Sequence, residues 1–174
     1  MAFGVARELP GKDVTTALVA AIAVDAFGAD NVRAVMMPSM YTADISKSDA
    51  EEEAVALGVQ YDVIPIEQVY HSVVQSLADV FAGTAADVTE ENIQARSRGL
   101  ILMALSNKTG RMVLTTGNKS EMAVGYATLY GDMNGGFAPL KDISKTLVYR
   151  LCRYRNAVGH VIPERVLTRA PSAE

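Results

Sequence analysis

Residues 114–132 read LTTGNKSEMAVGYATLYGD, and the order of elements in this stretch decides the fold. Residues 112–114 (MVL) form a short apolar run of strand type, which breaks at Gly117. Asn118 stands as a helix N-cap, with Glu121 three residues on as its capping-box partner. A strand, a glycine turn and a helix N-terminus in that order make a ready anion site, because unpaired backbone N–H groups point outward there. Two hydroxyls (Thr115, Thr116), a cation (Lys119), a third hydroxyl (Ser120) and a carboxylate (Glu121) crowd the same turn. That inventory suits phosphates held together with a magnesium ion. It suits equally a well-capped helix that follows a buried strand.

Working outward, the chain alternates strands and helices. Residues 3–6 have the pattern of a short strand, and the Leu9-Pro10-Gly11 turn separates them from a helix. That helix is predicted to start at Thr15 or Thr16, to run to Ala26 and to stop at Gly28; it is apolar nearly all round and hence buried. Residues 32–37 (VRAVMM) are apolar apart from Arg33 and end at Pro38, as in a strand with both faces covered in a parallel sheet. After a polar loop, Ser48 and Glu51 read as a capping box opening a helix that Gly58 closes. Residues 61–66 (YDVIPI) are the third strand, with Pro65 at its exit.

The spacing of Ile66, Val69, Tyr70, Val73, Val74, Leu77, Val80 and Phe81 predicts one amphipathic helix over 67–82. Its apolar face serves either the core of the chain or an interface between two copies. Thr89 is the expected cap of a helix over 89–107, with Glu90 and Glu91 in its first turn. Beyond the opening stretch, the glycine-rich segment 131–137 is a substrate loop or a surface turn. Ser144 caps a last helix to Tyr154, whose buried stripe is Leu147, Val148, Leu151 and Tyr154. From residue 163 the chain turns polar and is expected to fray. Alternation of this kind implies a doubly wound α/β domain, a parallel sheet with helices on both faces and its ligand beyond the carboxyl ends of the strands. The loops 38–47 and 115–121 both leave such ends.

Composition narrows the function classes. The length of 174 residues suits one domain with a real core. A net charge of −4 argues against a broad grip on nucleic acid. With Cys152 as the sole cysteine, an intrachain disulfide is impossible, and the expectation is a reducing cytoplasm. The longest apolar run, residues 17–24, falls far short of the ~20 residues a membrane span needs and lacks the flanks of a signal peptide. Arg96 lies three residues after Ile93 and four before Leu100, along an apolar stripe, where a cation must snorkel to solvent or meet an anion of the protein or of a ligand. Lys141 and Lys145 are placed to reach phosphates. Arg150, Arg153 and Arg155 read as a solvated face, and Cys152 as a packed thiol. His71 and His160 have no companion at metal or triad spacing, and neither a Walker loop nor a dinucleotide glycine fingerprint is present.

The longer stretch LTTGNKSEMAVGYATLYGDMNGGFAPLKDISKTLVYRL, residues 114–151, resembles the synthetase domain of NAD+ synthetases, especially the glutamine-dependent type. The likeness runs back through ENIQARSRG, DVTEEN, YDVIPI and VRAVMMPSMYTADIS to ALVAAIAVDAFGADN, and covers residues 17–172. It implies an adenine-nucleotide α-hydrolase-like fold and a homodimer. The implied reaction uses ATP to adenylate the nicotinate carboxylate of deamido-NAD+, releasing pyrophosphate; ammonia then attacks to give NAD+ and AMP. By matching motif, Thr116 contacts ATP, Glu121 holds Mg2+, Arg96 binds deamido-NAD+, and Lys145 is the ATP-binding and catalytic lysine. Lys119 is implied as its catalytic companion, Asn118 and Asp132 as substrate contacts, and Pro38, Ser39 and the 41–46 loop as the adenosine clasp. TTGNKSE argues against a GMP synthetase-like relative.

The departures set a second expectation. Family members carry a Ser-Gly-Gly-x-Asp-Ser pyrophosphate loop before the first helix. Here residues 10–21 read PGKDVTTALVAA, with Lys12 and Asp13 at the two glycines and Thr15 and Thr16 at Asp and Ser. Residues 1–14 are thus a divergent N-terminal segment, and Met40 stands where many relatives have arginine. The further expectation is a chain that stops at Glu174, short of the family's acidic C-terminal segment, and carries no glutaminase domain before residue 1. The expectation is a single partial synthetase domain over 1–174 that needs free ammonia or a glutaminase on another chain. The alternative is a truncated, non-catalytic remnant that keeps the fold and weak nucleotide binding.

Overall fold

The structure, a computed structural model, describes residues 3–7 and 13–169. Its strands are β1 (Phe3–Arg7), β2 (Val32–Met36), β3 (Gln60–Val63) and β4 (Met112–Leu114). They form one sheet in the order β3-β2-β1-β4, and all three pairings are parallel. The helices are α1 (Asp13–Phe27), α2 (Asp44–Leu57), α3 (Glu67–Ser76), α4 (Val88–Thr109), α5 (Lys119–Ala123), α6 (Lys145–Val158) and α7 (Glu164–Thr168). The chain moves outward from β1 to β3, then returns to the other side of β1 with β4. This reversal is the switch point of a doubly wound sheet.

Two apolar cores flank the sheet. One gathers Val14, Leu18, Val19, Val32, Leu114, Val148, Cys152 and Ile162 under α1, α6 and α7; the other gathers Val35, Met37, Ile66, Leu102 and Val113 under α4. Val113 and Leu114 are neighbours in β4 and serve opposite cores, as the two-residue period of a strand requires. The layered α/β architecture read from the sequence is the observed one. Among the described residues, no helix is long and apolar enough to cross a membrane.

Several boundaries differ, each for a local reason. α2 begins at Asp44, not Ser48: the Ser48 hydroxyl donates to the Ile45 carbonyl inside the helix, while Asp44 pairs with Lys47 at 3.0 Å in the first turn. α4 is capped by Asp87, not Thr89, in a capping box whose carboxylate accepts the Thr89 N–H and whose Glu90 accepts the Asp87 N–H. α3 stops at Ser76, because Ser72 and Ser76 turn their hydroxyls back onto the Gln68 and Ser72 carbonyls and residues 77–83 follow as turns. No residue of α3 itself is buried. Tyr154 is 71 % exposed, outside the stripe assigned to it; Cys152 takes the buried place. The fraying expected from residue 163 is corrected as far as Arg169: α7 buries Val166 and Leu167, and its Arg165 binds Asp49 at 2.7 Å and Glu52 at 2.8 Å. Residues 170–174 lie outside the described residues.

Arg155 likewise leaves the solvated face expected of it and binds Asp25 through two nitrogens, at 2.6 and 2.8 Å. Cys152 is fully buried with its Sγ donating to the Val14 carbonyl at 3.6 Å. Burial pushes this thiol up to about 12, with the charge of Glu53 adding to the effect. Alkylation at pH 8 should therefore run at least about a thousandfold slower in the folded protein than in urea. Stoichiometric labelling of the native chain within minutes would overturn this assignment.

A second titration lies in the sheet. The Arg33 guanidinium donates to Asp62 at 2.5 Å across β2 and β3 and holds that carboxyl below its usual range. A carboxyl lowered on folding adds stability that is present above its unfolded pKa near ~4 and is lost as the pH falls through the lower folded value. Asp62→Asn is expected to flatten that acid limb and to cost about 1 kcal/mol at pH 7, measured by urea titration at each pH. An unchanged acid limb would remove Asp62 from the account.

Candidate functional site

In a doubly wound sheet the ligand position is the switch point, which here lies between β1 and β4. The segment leaving β1 falls at residues 8–12, outside the described residues, so the pyrophosphate-loop departure at Gly11 and Lys12 is not seen. The segment leaving β4 is seen in full. Asn118 caps α5 with a reciprocal box: its Oδ1 accepts the Glu121 N–H at 3.1 Å, and Glu121 Oε2 accepts the Asn118 N–H at 3.2 Å. The capping box read from residues 118–121 is therefore real.

Asn118 is wholly buried, and its Nδ2 donates to Thr15 Oγ1 at 3.2 Å, binding α1 to the turn after β4. Thr16 is buried beside it; its hydroxyl has no hydrogen-bond partner and borders a cavity of about 40 Å³ lined also by Ala20, Glu53 and Tyr61. Both hydroxyls face protein at the positions where the resemblance puts an aspartate and a serine.

Glu121 holds the centre of this wall. Its Oε1 accepts from Lys145 Nζ at 3.0 Å, so both carboxylate oxygens are engaged. Lys145 opens α6 and reaches Glu121 because its own N–H donates to Ser120 Oγ at 3.1 Å and the Lys119 N–H donates to the Ile143 carbonyl at 2.9 Å. The start of α6 is thereby laced to the start of α5. Thr116 is buried and the Lys119 side chain exposed.

Beside Glu121 lies a cavity of about 220 Å³ lined by Thr115, Gly117, Tyr126, Asp132, Phe137 and Lys141, among others. Of the residues singled out from sequence, Glu121, Asp132 and Lys141 line it; Thr116, Asn118, Lys119 and Lys145 do not, although Lys145 touches it through Glu121. Tyr126 was missed. Burial holds its phenol above the usual range, and the charges of Glu91, Glu121 and Asp132 add to the shift, so it stays a neutral hydrogen-bond donor at pH 7. Its position four residues before Tyr130 and six before Asp132 in the glycine-rich stretch was the available signal.

The segment 126–137 is stapled rather than loose. The Thr128 N–H donates to Asp132 Oδ1, Thr128 Oγ1 meets Asn92 Oδ1 at 2.9 Å, and Asn134 Nδ2 donates to the Tyr130 carbonyl at 2.9 Å. Tyr130 takes a left-handed backbone, φ 62°. Gly99 of α4 meets this segment so closely that a Cβ there would lie 2.7 Å from the Tyr130 carbonyl oxygen.

Arg96 is exposed and does not lie along a buried stripe, which corrects the sequence reading; Leu100, the supposed stripe residue, is 63 % exposed. The buried face of α4 carries Ile93, Ala95, Ser97, Arg98, Gly99 and Leu102, and Arg96 and Leu100 fall outside it. Arg96 Nε donates instead to the Leu129 carbonyl at 3.3 Å. The buried guanidinium is Arg98, whose Nε donates to the Met37 carbonyl at 3.1 Å. Pro38 and Ser39, which follow, are also buried, and Ser39 closes a turn with its N–H on Thr42 Oγ1 at 2.9 Å.

Among the described residues, no three metal-ligating side chains converge. Magnesium is commonly held by one or two carboxylates with phosphate and water oxygens completing the set. Glu121, now engaged by Lys145, is the carboxylate of this wall that could serve such a cation.

A family model described as NAD synthase matches residues 10–174. The glutamine-dependent NAD(+) synthetase of Acinetobacter baylyi is 57 % identical over 163 residues, covering 92 % of this chain and 30 % of that protein. Among solved structures, the glutamine-dependent NAD+ synthetase of Acinetobacter baumannii in complex with ADP superposes with a TM-score of 0.92 at 51 % identity, over 99 % of this chain and 32 % of that one. The NH3-dependent NAD synthetase of Campylobacter jejuni, in complex with nitrate, gives 0.83 at 26 % identity over 99 % of this chain and 69 % of that one. The chain thus spans about 30 % of the length of the glutamine-dependent relatives it matches.

Proposed function

Since the chain belongs to the NAD synthase family, we propose that it carries out the ATP-dependent amidation of deamido-NAD+ to NAD+, with release of AMP and pyrophosphate. The observation that carries this reading is the wall at the switch point, where the capping box of Asn118 presents Glu121 to Lys145 beside a cavity. A nucleotide polyphosphate offers Lys145 an anion of higher charge than one carboxylate. Lys145 then turns from Glu121 to the phosphates, and the freed Glu121 oxygen becomes available to Mg2+. The cation supplies charge neutralisation on the phosphates.

On this reading, Thr116, Pro38 and Ser39 serve ATP, and Lys119 adds positive charge at the turn. Arg96, Asn118 and Asp132 serve the dinucleotide, Asn118 by holding the turn that carries the others. The nicotinate carboxylate attacks the α-phosphorus of ATP, and pyrophosphate leaves. Ammonia, free or from a glutaminase, adds to the resulting acyl carbon, and AMP leaves with the bonding pair. Met122, Tyr126, Met133 and Phe137 line the cavity beside the carboxylates and offer apolar surface to the bound dinucleotide. The same reading puts the protein in the cytoplasm as a homodimer, with the unburied apolar side of α3 available for the second copy.

The test is turnover: ATP, Mg2+, ammonia and deamido-NAD+ are supplied, and NAD+ and pyrophosphate are measured. Stoichiometric appearance of both supports the proposal; no product at high protein concentration sinks it. A second reading, nucleotide binding without turnover, is favoured by the two threonines whose hydroxyls face the protein interior. ADP binding by calorimetry in a chain that yields no product would select it.

Arg96→Ala is expected to weaken deamido-NAD+ binding at least about tenfold while leaving ADP affinity unchanged, the size of one lost charge-assisted contact. Calorimetry with each ligand reads the split. Equal losses for both ligands would remove Arg96 from the dinucleotide site.

A further inference from the structure

The geometry points to Arg98 as a positioning residue that holds the 37–42 segment in its nucleotide-binding form, an inference that rests on the assignment of that segment to ATP. Arg98 is 7 % exposed on α4, yet it carries a charge at any working pH. Taking a guanidinium out of water is costly unless its donors are satisfied. Here Nε donates to the Met37 carbonyl at 3.1 Å, across 61 positions of sequence. That carbonyl belongs to the residue just after β2, where the chain leaves the sheet.

Everything downstream hangs from that point. The Pro38 carbonyl accepts the Ile66 N–H at 3.0 Å, and Ser39 closes its turn with Thr42 through the bonds Ser39 N–H to Thr42 Oγ1 and Thr42 N–H to the Ser39 carbonyl. The Tyr41 N–H donates to Ser39 Oγ at 3.3 Å. These bonds shape the turn internally. Arg98 supplies a tie from α4, across the core that contains Met37 and Leu102. The same helix holds the cavity's loop on another side, through Asn92, Arg96 and Gly99. One helix thus fixes both ligand-facing segments relative to each other, and Arg98 is its grip on the nucleotide side.

The test uses the intact chain, with Arg98→Met to fill the space without charge and Arg98→Lys to retain a donor for the Met37 carbonyl. In the free protein, the Ser39 and Thr42 amides of Arg98→Met should exchange with solvent at least about tenfold faster, while the Glu121 and Val148 amides keep their rates. ADP affinity should fall about tenfold with the melting temperature held, and Arg98→Lys should recover part of both losses. A folded Arg98→Met with wild-type exchange at Ser39 and Thr42 overturns the proposal, as does faster exchange with unchanged ADP affinity. If Arg98→Met does not fold, Arg98→Lys is read by the same two measurements; loss of fold in both makes Arg98 a core residue only and overturns the proposal. A wild-type chain that binds no ADP defeats the nucleotide assignment instead, and the exchange rates then still decide whether Arg98 is the grip on the loop.

Discussion

Asn118→Ala should destabilise the chain by about 3 kcal/mol, the sum of a lost helix cap near ~1 kcal/mol and buried partners left unsatisfied at roughly 1–3 kcal/mol. Two side-chain bonds go at once, and the backbone bond that completes the box is left without its partner. The Glu121 N–H loses its acceptor, the reciprocal box loses its geometry, and Thr15 Oγ1 loses the donor that binds α1 to the turn after β4. None of these groups is replaced by water, because the site is fully buried. The midpoint of thermal unfolding should drop by roughly 10 °C for a chain of this size. Asn118→Ser retains a good cap oxygen but not the donor to Thr15, and should recover about 1 kcal/mol of the loss. A measured cost below about 0.5 kcal/mol for Asn118→Ala, the level of an ordinary surface change, would contradict the role given to this residue.

Gly99→Ala should displace the segment that forms one side of the cavity. A Cβ on Gly99 would stand 2.3 Å from Asn134 Nδ2 and 2.7 Å from the Tyr130 carbonyl oxygen. The amide can swing away, but at the loss of its own 2.9 Å bond to that carbonyl; the backbone oxygen cannot. Alanine gains about 1 kcal/mol over glycine inside a helix, whereas forcing extra volume into a closed contact costs about 1–3 kcal/mol. Overpacking wins. The net stability loss is about 1 kcal/mol, and the larger effect falls on ligands, because Asp132, Met133 and Phe137 move with the displaced backbone. Deamido-NAD+ affinity should fall at least about tenfold, since 1.4 kcal/mol of lost contact is a factor of ten. Gly159→Ala is the control: its backbone is extended, a Cβ there makes only an ordinary contact 3.5 Å from an Arg155 nitrogen, it does not line the cavity, and both stability and affinity should stay near wild type. Equal behaviour of the two variants would show that the contact at Gly99 has no functional weight.

What could be read from the chain beforehand was whatever is decided within a few residues. The Asn118–Glu121 box, the Gly58 stop and the strand at 112–114 depend on neighbours in sequence, and each stands where it was expected. Arg96 and Arg98 were not separable in that way. Both sit in the same turn of α4, and which one is buried depends on Met37 and Leu129, 61 and 33 positions distant. The pairing of Glu121 with Lys145 likewise spans 24 positions and arises only when α6 is laced to α5. The long helix foreseen over 67–82 failed from within, at serines whose hydroxyls compete with the ladder. Thr15 and Thr16 were noticed because they depart from a motif; that their hydroxyls turn into the protein is a fact of packing.

The short strand β4 has a second significance. Among the described strands it is the outermost on its side of the sheet, and an open strand edge invites pairing with another molecule. Here the Gly136 N–H donates to the Val113 carbonyl and the Thr115 N–H donates to the Phe137 carbonyl, both at 2.9 Å, with Phe137 bridging Leu114 in parallel. Gly135 permits this approach, since a Cβ there would lie 2.5 Å from Thr115 Cγ2. The wall of the cavity is therefore also the cover of this strand edge. Edge cover and cavity wall share one segment of backbone, and a change that frees the segment uncovers backbone donors and acceptors of β4 together with the cavity.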